Sequence, residues 1–259
     1  MLKSVAAGLI VLVCALPTSA IAVRIAHEDY PMRVPAAAGD GQVVTLTVID
    51  SRPYVLDGDS KESYEGMTRE LYGIPISRNT ADNSPMASYL GERLRLGFEQ
   101  AGYAATYEPS VKGTASDVRA RSLTADGVDL IFLVTLKEWS YDQGFANPEF
   151  THDVVIDVYT GAGHLLSSEA FNGVDPMPTG GWKHYKRRYA ELYQDVFDRM
   201  FASQNLVAGL AGRSTIPAPD MPKGPSIESR LETLGSVHAQ GLIDEETFKA
   251  QQARILLEL

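Results

Sequence analysis

Cysteine is almost missing from this chain of 259 residues: there is one, Cys14, inside the first apolar stretch. A single thiol forms no intrachain disulfide, and everything beyond residue 14 lacks cysteine nucleophiles and zinc–thiolate sites. Positive charge is also in short supply. Lys and Arg number 23 against 33 Asp and Glu, a formal net charge of −10. Neutralising a phosphate backbone needs a basic face, so the balance argues against a nucleic-acid partner. Long hydrophobic runs are absent as well. The one candidate, Val5 to Leu16, falls short of the roughly 20 residues that span a bilayer, and Pro17 breaks it.

That short run has its own reading. MLKSVAAGLIVLVCALPTSAIA carries a positive charge at Lys3, an apolar core, and Ala20-Ile21-Ala22 in the A-x-A processing pattern. Residues 1–22 therefore read as a cleaved secretory signal, the alternative being an uncleaved N-terminal anchor. Leu12 and Val13 precede Cys14 where a lipidation site needs a small residue, so Cys14 reads as part of the signal's core. Cleavage would remove Lys3 and no acid, taking the net charge from −10 to −11. The expected location is secreted or periplasmic, and membrane contact is expected to be peripheral or through a partner.

Residues 23–41 show no sustained periodicity and read as an extended arm. Residues 42–210 read as one α/β domain. Val43 to Asp50, VVTLTVID, alternates as a strand does. A long polar connection follows, within which Leu71 to Ile76 offers a short edge strand. Ser84 and Pro85 predict a capped helix with the apolar stripe Met86, Leu90, Leu94, Phe98 and Ala101, stopped by Gly102. YAATYEP predicts a strand, Ser116 to Leu123 a short helix, and DLIFLVTLKEW a central strand covered on both faces. THDVVIDVYT and HLLSSEAF flank a tight turn at residues 161–163, a β-hairpin. A helix from about Gly181 to Ala208 carries the stripe Trp182, Tyr185, Tyr189, Leu192, Val196, Phe197 and Met200. The fold class expected is α/β (α+β): a mixed sheet with helices packed on it.

Residues 211–225 form a linker whose Pro217, Pro219, Pro222 and Pro225 forbid a packed helix. Residues 226–259 then read as a two-helix hairpin. Ser226 caps a helix with apolar Ile227, Leu231, Leu234 and Val237, and Gly241 supplies a left-handed stop. Asp244 caps the second helix, Glu245 and Glu246 suit its dipole, and Ile243 with Phe248 is spaced for a hydrophobic staple. Two helices cannot bury both apolar faces between them. Leu231, Leu234, Leu242, Ile243, Phe248, Ile255 and Leu256 are therefore the expected interaction residues, with a second copy or another envelope protein as partner.

The run G-L-I-D-E-E-T-F with its flanking leucines is similar to the short C-terminal domain called SHOCT, over about residues 226–259. The resemblance implies a small helical interaction or oligomerisation module without catalysis. Gln251-Gln252 departs from it, where a basic residue is common. Residues 42–205 are similar to envelope lipoproteins of the YajG type and to the CsgG-like α/β fold. The shared features are a strand ending in Asp50-Ser51-Arg52, a long connection, and a helix ending in F-E-Q-A-G-Y. Without a lipidation site, the chain departs from that lipoprotein pattern.

No residue set assembles a catalytic site. Asp50 and Arg52, at a strand's C-terminal edge, are either a small-ligand site or an ion pair fixing the following loop. His27-Glu28-Asp29 offers metal-ligand chemistry without metal-site spacing, and no metal or cofactor is expected. Tyr159 to His164 has its glycines before a strand and lacks the helix N-terminus of a phosphate loop. His152, His164, His184 and His238 stand singly, and Glu138 with Asp142 is one acidic pair among many. Lys183, Lys186, Arg187 and Arg188 interleave with aromatics. They read as a contact for anionic headgroups or glycan, or as the solvated face of an amphipathic helix. The function expected is that of a non-enzymatic envelope protein. The alternative is a periplasmic ligand-binding protein or hydrolase with its site near Asp50, Arg52 and residues 53–83.

Overall fold

The computed structural model describes residues 30–37, 41–69, 73–80, 82–143, 148–178, 185–216, 227–240 and 244–256. Seven strands form one mixed sheet: β1 (Val43–Asp50), β2 (Tyr64–Arg69), β3 (Pro75–Asn79), β4 (Ala104–Tyr107), β5 (Leu130–Gln143), β6 (Glu149–Thr160) and β7 (Leu165–Pro176). Their order is β3-β2-β5-β1-β4, with β6 on β5 and β7 on β6.

β5 is the spine. Leu130 to Leu136 pair in parallel with β1 and Tyr141 to Gln143 in parallel with β2, while the other edge pairs antiparallel with β6. The register shifts between Leu136 and Glu138, where β5 passes from one partner to the other. An extra residue there bends the strand and raises its twist. β1 is buried from Val44 onward, as a strand covered on both faces must be.

α2 (Met86–Gln100) and α4 (Tyr185–Phe201) pack on one face, bringing Leu90, Leu94, Phe98, Tyr193 and Phe197 against Leu46, Val48, Phe132 and Val134. α3 (Ser116–Ser122) covers a smaller cluster of Ile49, Ile131, Leu133 and Tyr159 on the opposite face. The short α1 (Pro53–Leu56) follows β1, and α5 (Gln204–Leu210) packs on β6 and β7. The hairpin consists of α6 (Ile227–Ala239) and α7 (Glu245–Leu256), packed on each other.

Several sequence expectations are corrected. The polar connection holds a hairpin, β2–β3, in place of one edge strand. Ser84 does not cap α2. Its hydroxyl donates to Asp82 Oδ1 at 2.6 Å, and the residue before the first helical turn is Pro85. The expected helix to Ala208 breaks at Ala202–Ser203, because the Ser203 hydroxyl accepts from Leu206 N and starts α5. That hydroxyl also donates to Glu169 on β7.

The arm, over residues 30–37, is extended and packed. Met32 is buried, its N–H donates to Arg93 O at 2.9 Å, and Ala37 N–H donates to Ala101 O at 3.0 Å. Arg33 reaches Asp195 and Asp198 on α4. Gly97 permits the approach: a Cβ there would stand 2.0 Å from the Met32 carbonyl oxygen. Arg93 is fully buried beneath the arm and donates to Tyr30 O and Ala190 O. Burial lowers its pKa, with Tyr89, Tyr193 and Glu65 acting in the opposite direction.

Candidate functional site

β1 ends on Asp50, and the chain turns at once so that Arg52 folds back over that carboxylate. The Arg52 side chain is 0% exposed. Nε donates to Asp50 Oδ1 at 2.9 Å and Nη2 to Oδ2 at 2.7 Å. The remaining donors go to Tyr64 O at 2.7 Å, Trp139 O at 3.1 Å and Glu62 O at 3.1 Å. A guanidinium has five N–H donors, and here each has an acceptor. Burial opposes the charge, but the bonds and charge of Asp50 outweigh it and hold the Arg52 pKa above its ordinary value. Chemically the pair joins the ends of β1, β2 and the loop between them, leaving no guanidinium donor for a ligand.

Glu138 sits beside this node. Its Oε1 accepts from the Tyr54 hydroxyl at 2.8 Å, from Trp139 N at 3.0 Å and from Ser140 Oγ at 2.7 Å. Burial, more than any neighbouring charge, pushes the Tyr54 phenol above its usual range. Asp142 is taken separately by Arg69, at 2.6 and 3.2 Å. The two acids thus serve different contacts and share no site.

An open cleft of about 660 Å³ lies over the loop after α1, lined by Asp59, Lys61, Glu62, Asn83, Pro85 and Lys112 among others. Lys112 is partly committed, since Nζ donates to Val55 O at 2.9 Å. The turn at 161–163 closes β6 on β7, with Gly163 at φ +85° and Thr160 N–H donating to His164 O.

In α4 the aromatic and basic residues separate. Tyr189 and Tyr193 are buried, their hydroxyls donating to Gln143 and Glu65 at 2.6 and 3.0 Å. Arg187 is exposed and pairs with Glu191 at 3.6 Å, while Arg188 is half-buried. Lys183, Trp182, His184 and the side chain of Lys186 lie outside the described residues, as do His27, Glu28 and Asp29. Among the described residues no group of three or more His, Cys, Asp or Glu is placed to hold a metal ion. No helix among them is long and apolar enough to cross a membrane.

The terminal hairpin shows its cap. Thr247 N–H donates to Asp244 Oδ1 at 2.8 Å and Phe248 N–H to Asp244 O at 2.9 Å. Hydrogen bonds from Thr247, backbone and side chain, hold the Asp244 carboxyl below its usual range. Phe248 meets His238, ring centroids 4.5 Å apart, and His238 Nε2 lies 3.1 Å from Glu245. Sequence reasoning missed this pairing, although His238 stands at helical spacing from Leu231 and Leu234. Leu231, Leu234, Val237 and Phe248 are only half-buried. Leu242 and Ile243 lie outside the described residues, and so do the side chains of Ile255 and Leu256.

No protein-family model matches the chain, and no curated protein matches it. Solved structures are similar at low identity. One is a Xanthomonas campestris protein of the DUF330 family: 13% identity, 66% of this chain and 90% of that one, TM-score 0.42. Another is a hypothetical protein from Chlamydia trachomatis: 9% identity, 68% of this chain and 100% of that one, TM-score 0.34. A third is a lipoprotein from Neisseria meningitidis: 11% identity, 61% of this chain and 99% of that one, TM-score 0.26.

Proposed function

We propose that the chain is an exported, non-catalytic envelope protein whose α/β domain is a rigid body and whose terminal hairpin docks on a second copy or an envelope partner. One observation carries this reading. α6 and α7 pack together, yet Leu231, Leu234, Val237 and Phe248 are only partly buried. Apolar side chains on a module this small gain most by meeting another surface. The proline-rich sequence of residues 211–225 supports a tether, since an extended chain of that composition spans about 3.1 Å per residue. The N-terminal segment supports export, and the structural contacts of Arg52, Glu138 and Asp142 support a reading without catalysis.

Light scattering of the chain from residue 23 onward, beside one ending at Ile216, tests it. The longer chain self-associates or captures an envelope protein, and the shorter one does neither. Two monomers with identical pull-down partners would end the proposal.

The open cleft beside Lys61 and Lys112 favours a second reading, small-ligand binding. A thermal-shift screen with wild-type protein and Lys112→Ala addresses it without disturbing the buried Asp50–Arg52 pair. A ligand-induced shift that the substitution removes would establish it.

A further inference from the structure

β6 turns a histidine inward where it runs beneath α4. His152 is 8% exposed, with its ring nearly parallel to Phe150 at 15° and edge-on to Trp139. Its cross-strand neighbour is Gly173, where a Cβ would lie 2.8 Å from His152 Cε1, so glycine leaves the imidazole its place. Nδ1 makes no hydrogen bond and stands 3.5 Å from Asp175 Oδ2. Arg199 Nη2 already holds that same oxygen at 2.6 Å. Asp175 belongs to β7 and Arg199 to the last turn of α4, so their bond ties helix to sheet. A cavity of about 330 Å³ adjoins it, lined by His152, Phe171, Asn172, Val196, Arg199 and Met200 among others.

We propose that His152 is an acid-operated latch between α4 and β7: its imidazolium takes Asp175 from Arg199, exchanging a helix-to-sheet tie for a bond within the sheet. Three physical facts give the direction. A cation enclosed by aromatic rings needs a hydrogen-bonded counter-charge. The Asp175 carboxylate is closest, and less than about 1 Å of movement brings it to hydrogen-bond distance. Arg199 is the replaceable partner, because its side chain is 54% exposed and water can take over its donors. The last turns of α4 then have the adjoining cavity to move into.

The charged groups around the ring are Asp153 on β6, Asp175 on β7 and Arg199 on α4. Burial is the largest influence on His152 and lowers its pKa, Asp175 and Asp153 oppose it, and Arg199 adds to the lowering. A depressed folded pKa means that the stability held by the neutral ring is complete above the unfolded value of 6.5. It is lost as pH falls through the folded value. The latch therefore opens in acid.

The test is an NMR titration of the His152 Cε1 proton in the full chain, with amide exchange of residues 195–201 followed across the same pH range. Exchange is corrected for its intrinsic pH dependence. His152 should titrate below 6.5, and α4 protection should fall about tenfold or more through that titration. His152→Gln should remove the pH dependence, and Arg199→Gln should leave α4 loosely protected at every pH. Titration at the free-histidine value, or α4 protection that does not follow it, overturns the latch. Should His152→Gln fail to fold, the wild-type titration and Arg199→Gln decide the matter alone.

Discussion

Thr215 leaves α5 and returns to the outer edge of β7, where its N–H donates to the Leu166 carbonyl at 2.8 Å and its hydroxyl reaches the same oxygen at 3.2 Å. In an extended segment the next N–H groups on that side belong to residues 217 and 219. Both are proline and have none. Proline at these positions withholds the donors that a longer ladder along β7 would need.

Replacing both prolines, Pro217→Val with Pro219→Val, should let pairing spread along β7. Hydrogen exchange on peptides covering residues 167–172 should slow by at least about fivefold, the equivalent of one hydrogen bond of about 1 kcal/mol. Unchanged exchange would show that the two restored donors do not add to the pairing.

Arg52→Ala should cost about 3–5 kcal/mol, because it leaves the Asp50 carboxylate buried without its cation. Arg52→Lys should recover only part of this, since an ammonium cannot reproduce the five-donor fork. Urea midpoints at constant m-value measure both.

Gly97→Ala should lift the arm off α2, for the new methyl would meet the Met32 carbonyl at 2.0 Å. A loss of about 1–3 kcal/mol is expected. Limited proteolysis should cut between residues 30 and 37 faster than in wild type.

Asp157 is buried on β6 and accepts from Ser168, and burial raises its pKa above 3.8. With a raised folded pKa, its contribution is complete below the unfolded value and is lost as pH rises through the folded one. Asp157→Asn should therefore raise Tm at pH 7 relative to wild type, with the gain shrinking towards pH 4. A gain that grows in acid would contradict this.

Phe248→Ser should weaken any self-association or partner capture while leaving the Tm of the α/β body unchanged. Scattering and calorimetry on the same sample read both quantities.

β1, β5 and the β6–β7 hairpin are legible in the sequence because each is an apolar or alternating run whose burial does the folding. β2 and β3 are not. YEGMTR and PISRN carry little apolar signal, and β2 is held by pairing with the far end of β5. Gly66 lies so close to Tyr141 that a Cβ would stand 2.5 Å from its carbonyl oxygen. Arg93 is another such case. It lies beside the apolar stripe of α2, and its acceptors, Tyr30 O and Ala190 O, are 63 and 97 residues away in the chain. Asp50 and Arg52 are marked in the sequence by their place at a strand end, but five acceptors for one guanidinium is a tertiary fact.

The two ends of the body are gripped very differently. The arm is fastened to α2 and α4 by Met32, Arg33 and Ala37, whereas among the described residues the segment after α5 meets the β7 edge through one acceptor, the Leu166 carbonyl. Were the hairpin docked as proposed, a pull on it would meet the Thr215–Leu166 contact before it met α5. Opening that contact would lengthen the tether by a few residues without unfolding a strand.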